Sequence, residues 1–418
     1  MKVLIRSASI VCPSSPLHGQ VTDLLIENGI ILKIANEINE EADKVISVKG
    51  LHVSPGWADM FADFCDPGFE FKETLVTGAN AAAAGGFTKV AVVPNTKPVI
   101  DNKSQVEYII ERSKNLPVTV LPLGAVTKNT EGKELSEMYD MQNSGAVAFS
   151  DGSSSIQPSG ILLKALQYIK PFDGVLIQLP EDKRISQQGL MNEGIASTRL
   201  GLPGIPAIAE EIQISRDIEL VKYTGSKIHF TGISTKRSVE LINKAKQEGL
   251  QVTCSVTPYH LFFYEDDLLH YDTNLKVNPP LRTKEDRVAL REGLKNGIID
   301  CIASHHQPQD RDCKTCEFEY AKPGMITLES LFSIVRSCGV SAAEFVTMQT
   351  EHIYPILNLP LPVLDEGAVA NLTLFLPDEE YLFDETCIRS KSKNSPFIGK
   401  SLKGKVIGII NGDKLFLN

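Results

Sequence analysis

No run of eighteen apolar residues occurs anywhere in the chain, which removes an apolar membrane-spanning helix from consideration. Concentrated positive charge is also missing. Lys and Arg number 42 against 52 Asp and Glu, a net charge of −10, whereas a surface that holds phosphate needs clustered basic residues. Nucleic acid and anionic membrane are therefore poor partners. The opening residues Met1 to Ile10 are interrupted by Arg6 and lack the apolar core of a signal peptide, so a cytoplasmic protein is expected. Eight cysteines scattered over 418 residues make no compact disulfide framework. The one close pair, Cys313 and Cys316, has no second pair to complete a zinc site and no thioredoxin-like surroundings. It reads as a loop with two free thiols.

What is present is patterned apolar sequence. Lys2 to Val11, Val21 to Ile34 and Lys44 to Val53 are rich in Val and Ile and broken at Pro13, Asn28-Gly29 and Gly50, which predicts an antiparallel meander. After Pro55-Gly56 short apolar runs alternate with helical patterns. Eight strand candidates follow, beginning at Trp57, Thr88, Val118, Ala146, Gly174, Ile228, Gln251 and Gly297. Such alternation signals βαβ units around a parallel sheet, and eight of them fit a closed (β/α)8 barrel with its site at the C-terminal strand ends. A doubly wound open sheet is the alternative, with no natural reason for eight. From Gly367 β character returns, and Lys405 to Ile410, Asn411-Gly412 and Lys414 to Leu417 predict a closing hairpin. The expected organisation is an α/β TIM barrel over 54–361 and a small composite β-sandwich from 1–53 and 362–418. The small-residue run Ala79 to Gly86 is expected to be helix lying close on the barrel.

The stretch Trp57 to Gly68 reads as a buried strand ending in a turn. Alternation places Asp59, Phe61, Asp63 and Cys65 on one face. The segment resembles the Asp-x-His-x-His-x-Arg-x-Pro-Gly motif of the cyclic amidohydrolases, dihydroorotases most closely. Further matching segments, in family order, are Val93-Pro-Asn95-Thr-Lys-Pro98, Gly145 to Gly152, Ile233-Ser-Thr235, Val277-Asn278-Pro-Pro-Leu-Arg282, Pro323-Gly324 and Ser390 to Phe397. Together they identify the chain as a member of that family, whose reaction is the reversible opening of dihydroorotate to carbamoyl aspartate in pyrimidine synthesis.

The resemblance implies catalytic zinc, held at positions occupied here by Phe61, Asp63, Asp151, Leu179 (Gln178 if the alignment slips by one), Gly232 and His305. Three of these, Phe61, Leu179 and Gly232, carry no ligating side chain. His305 stands where the family has its catalytic Asp, within His305-His306-Gln307-Pro308-Gln309. His229 lies three residues before Gly232, an odd offset that turns it to the other strand face. Asn95 and Asn278 match substrate-holding positions, while Cys65 replaces a carboxylate-binding Arg and Gln309 a substrate-binding His. A Cys cannot copy the bidentate grip of an Arg. Zinc lowers the pKa of bound water from about 15.7 to about 7, worth roughly 12 kcal/mol of acidity, so its loss is not a small defect.

Two readings follow. In the first, the chain is a catalytically silent member, without a cofactor, kept for assembly with aspartate carbamoyltransferase or with itself. In the second, Asp63, Cys65, Asp151 and His305 converge to rebuild a zinc site, and the chain hydrolyses dihydroorotate or another cyclic amide. His305 and His306 are also open as a metal-free acid/base pair. The asparagines have a plainer alternative, satisfying loop backbone.

Overall fold

The computed structural model describes residues 1–418. Strands β1 (Lys2–Ile10), β2 (Val21–Glu27) and β3 (Ile30–Ala35) form an antiparallel meander. The third N-terminal run departs from expectation. It divides into β4 (Lys44–Ile46) and β5 (His52–Pro55), and both run parallel to β1. Parallel pairing needs the chain to cross back before it re-enters the sheet, and the buried Asp23 holds that crossing. Its carboxylate accepts Ser7 N at 2.8 Å within the irregular stretch of β1 and Ile38 N at 3.0 Å on the return path, and pairs with Arg6 at 3.0 Å.

The barrel begins with β6 (Trp57–Ala62), β7 (Phe87–Val92), β8 (Thr119–Gly124), β9 (Ala148–Phe149) and β10 (Val175–Gln178). An excursion then carries a two-strand pair, β11 (Met191–Asn192) and β12 (Gly204–Ile205). Strands β13 (Lys227–Phe230), β14 (Val252–Val256) and β15 (Cys301–Ile302) complete the eight. Each barrel strand pairs in parallel with the next, in chain order. The first and last strands meet through side chains and one bridge. Asp63 N donates to His306 O at 2.8 Å, and Ser304 donates through both N and Oγ to the Asp59 carboxylate, each at 2.7 Å. All eight expected strands are thus present, and their Val- and Ile-rich texture suits strands buried on both faces.

Helices fill the connections. The first, Leu75–Ala84, starts at the N-cap Thr74, and its buried Ala79 and Ala81 to Ala84 let it lie close to the sheet. Lys103–Ser113, Ser159–Ile169, Ile208–Thr224, Lys236–Gln247 and Lys284–Lys295 continue the layer. None is long and apolar enough to cross a membrane.

The C-terminal strands β16 (Asn371–Phe383), β17 (Lys400–Asn411) and β18 (Lys414–Leu417) join the N-terminal ones through β5, giving one continuous sheet built from both chain ends. Val3, Ile5, Leu24, Val53, Leu372 and Ile410 belong to its own apolar core, separate from that of the barrel. The far end of β16 lies on the barrel, where Tyr381 and Ser333 share a 2.8 Å hydrogen bond.

Candidate active site

The barrel strands open at their C-terminal ends onto a cleft of about 240 Å³. Phe61, Asp63, Asn95, Leu179, Asn278, His305 and His306 all line it. A larger hollow of about 580 Å³ lies near Arg291, Cys338 and Met348 and contains none of the expected residues. The strand ends make the smaller cleft the site.

Its floor is packed rather than ligating. Phe61 and His305 stack with ring centroids 4.5 Å apart and planes inclined by 28°. Gly232, at φ +66°, lies against the imidazole, and a Cβ there would come within 2.6 Å of His305 Cε1. The left-handed backbone and the close approach both call for glycine. His305 Nε2 is 2.8 Å from Thr231 Oγ1, and burial lowers the His305 pKa to about 3, so the ring is neutral at ordinary pH. Leu179 presents an aliphatic wall. Gln178 turns outward, donating from Nε2 to Asp217 on the Ile208–Thr224 helix at 3.3 Å.

Asp63 accepts Cys65 N at 2.8 Å, and burial raises its pKa. Cys65 does not line the cleft. It is buried at φ +58°, and burial, then the adjacent Asp63, push its thiol well above the usual range. Asp151 was expected at the mouth with Asp63 and His305, and it too is elsewhere. Its carboxylate is consumed by Val126 N and Thr127 N, both at 2.9 Å, and by the Thr127 hydroxyl, with burial raising its pKa to about 6. The carboxylate ties the loop after β8 to the end of β9. Of the four groups proposed to converge, only Asp63 and His305 share the cleft.

Asn95 uses both ends of its amide on the neighbouring loop, donating to Asp151 O at 3.0 Å and accepting Ser153 N at 2.9 Å. Asn278 donates to Glu181 Oε2 at 3.2 Å. Gln309 lies outside the cleft, its Nε2 donating to Pro323 O at 2.9 Å. His306 does not pair with His305. Its Nδ1 accepts Thr327 N at 3.2 Å and Leu328 N at 3.3 Å, and its Nε2 faces Glu73 Oε2 at 3.6 Å. Glu73 also receives the hydroxyls of Ser390 and Thr77 and Lys391 N at 3.1 Å. Burial works to raise its pKa, but His306 and these hydroxyls bring it below the usual value. Cys313 and Cys316 are half-buried free thiols, directed at Asp310 Oδ2 and Cys313 O.

The family model described as Dihydro-orotase-like matches residues 50–238. The chain is 40% identical over 414 residues to the dihydroorotase of Syntrophus aciditrophicus (strain SB), covering 97% of each. It is 44% identical over 414 residues to that of Caldanaerobacter subterraneus subsp. tengcongensis, covering 97% of this chain and 95% of the relative. The chain belongs to the dihydroorotase family. Its fold is also that of L-hydantoinase from Arthrobacter aurescens, with a TM-score of 0.84 at 23% identity over 100% of this chain and 97% of that one.

For a dihydroorotase the resemblance implies zinc at this cleft, and the donors present do not fit it. Phe61, Leu179 and Gly232 offer no donor atom, Asp151 is fully hydrogen-bonded elsewhere, and the Nε2 of His305 is held by Thr231. No three His, Cys, Asp or Glu side chains converge as a metal site, where catalytic zinc takes three. Sequence reasoning missed Glu73 and Thr231. Glu73 carried one local signal, an acid immediately before a Thr N-cap. Thr231 carried none, because its contact with His305 joins residues 74 positions apart in the chain.

Proposed function

We propose that this member of the dihydroorotase family is catalytically silent and serves pyrimidine synthesis as an assembly component, with aspartate carbamoyltransferase or with its own copies. The observation that carries the reading is the stack of Phe61 on His305 over Gly232. Three positions that the resemblance assigns to metal binding have become one packed unit. A neutral imidazole without zinc supplies at most general-base help of ~10²–10⁴ in rate, far short of an activated metal-bound hydroxide. The retention of the whole barrel and terminal sheet over the length of the relatives supports a role that needs the fold rather than the chemistry.

Two measurements test it together. Dihydroorotate and carbamoyl aspartate, each incubated with the chain and added zinc, should show no interconversion. Aspartate carbamoyltransferase should co-purify with the chain, and Asp63→Ala should leave that complex intact. Zinc-dependent turnover contradicts the silence, and a chain purified alone as a monomer contradicts the assembly role.

A further inference from the structure

Arg291 and Lys295 stand one turn apart on the Lys284–Lys295 helix, so their side chains share a face. That face and the helical stretch Ala342–Thr347, continued by Met348–His352, line the hollow of about 580 Å³. The hollow lies among the outer helices and shares no residue with the cleft. Its volume falls within the roughly 300–1,000 Å³ of small-molecule sites. Leu261, Leu294, Val340, Ala343 and Met348 give it an apolar lining. Pro13, in the loop after β1, also borders it, so an occupant would touch both the barrel and the terminal domain.

The charges around the hollow are unevenly matched. Arg291 Nε donates to Leu261 O at 2.8 Å and Nη2 to Cys338 Sγ at 3.6 Å, which orients the guanidinium, while Nη1 has no protein partner. Neither Arg291 nor Lys295 is in an ion pair, in a chain with 52 acidic residues against 42 basic ones. Glu344, the one carboxylate in the lining, accepts Ser341 N at 2.8 Å. Its bonds to Ser341, with Lys295 nearby, hold its pKa below the usual value. It is therefore ionised and already occupied in capping its helix. With His352 neutral, its Nδ1 donating to Asp300 O at 2.6 Å, two cations against one anion leave a single surplus positive charge.

An apolar lining beside one surplus positive charge suits a ligand that is apolar over most of its length and carries one negative charge. A dianion such as a phosphate monoester would bring excess negative charge beside Glu344. A carboxylate matches the charge, and Nη1 of Arg291 and the ammonium of Lys295 are the donors open to it. We propose that the hollow is a second ligand site, which binds an aliphatic monocarboxylate with its head on Arg291 and Lys295 and its tail along Leu261, Leu294 and Met348. The site is independent of the chemistry of the cleft.

Calorimetric titration of the full chain with octanoate and, separately, with octanamide tests this, because the two probes share a tail and differ by a charge. Octanoate should bind once per chain and at least about tenfold more tightly than octanamide, and added salt should weaken it. Arg291→Gln should remove most of that preference. Ala343→Trp, which fills the tail space and leaves both cations, should abolish binding of both probes. Arg237→Gln, an exposed position on the Lys236–Gln247 helix, should leave both affinities unchanged. Equal affinities for the two probes, tighter binding of octyl phosphate than of octanoate, octanoate binding unchanged in Arg291→Gln or in a folded Ala343→Trp chain, or no binding of octanoate overturns the proposal. Arg291 is exposed, so its variant decides the matter if Ala343→Trp does not fold.

Discussion

Phe61 and His305 stack at 4.5 Å, and Gly232 is the residue against which the imidazole rests. Residues in contact in this way should be energetically coupled. Gly232→Ala places a Cβ against the ring and strains a φ of +66°, which should cost about 1–3 kcal/mol. Shortening His305 to Ala removes the clash but not the backbone strain. In urea denaturation of the two single variants and the double variant, the double should be more stable than the sum by about 0.5–3 kcal/mol. Simple additivity would mean that the two sites do not touch.

Glu73 holds the segment around Ser390 and Lys391 to His306. Glu73→Ala leaves several buried donors without an acceptor, each worth about 1–3 kcal/mol. The variant should be destabilised by about 3 kcal/mol or more in urea unfolding, with faster proteolysis near 390–395. Glu73→Gln, which keeps one carbonyl acceptor, should lose less.

Burial holds His229 near pKa 3, as it does His305. An unfolded histidine takes up its proton near 6.5. Between about pH 6.5 and 3 the unfolded state therefore binds more protons, so the His229 contribution is fully present above 6.5 and lost as pH falls. Replacing His229 by Gln should make the acid limb of urea stability shallower by up to about 1.4 kcal/mol per pH unit. Asp217 works in the opposite sense. Burial, opposed by Arg216, raises it to about 7, so stability falls as pH rises from about 4 to about 7, and Asp217→Asn should remove that slope.

Asn95 stands at a position that the family resemblance assigns to substrate, yet both ends of its amide bind the 151–153 loop. Asn95→Ala should lower stability by about 1–3 kcal/mol and speed hydrogen exchange at Ser153. If stability and exchange are unchanged, those bonds are not what the side chain is for.

Much of the architecture was legible in the sequence, for identifiable reasons. The eight barrel strands are continuous apolar runs separated by amphipathic helices, and local pattern suffices to find them. The parallel course of β4 and β5 was not legible, because it depends on Asp23 gripping chain on both sides of β2. The short pair β11 and β12 has two residues in each strand, too few for any period. At the site, motif alignment located Phe61, Asp63, Leu179, Asn278 and His305, which do meet. It could not show that Asp151 turns its carboxylate to Val126 and Thr127, or that Cys65 lies buried behind Asp63. It also could not pair Glu73 with His306, residues separated by most of the barrel.

Zinc per chain, measured after purification without chelator, saturation with zinc and exhaustive dialysis, bears most directly on whether packing has replaced ligation beneath the cleft. A chain whose ligand positions hold Phe61, Leu179 and Gly232 should retain far less than one equivalent. One tightly held zinc per chain, released by Asp63→Ala or His305→Ala, would contradict this and return the cleft to hydrolysis.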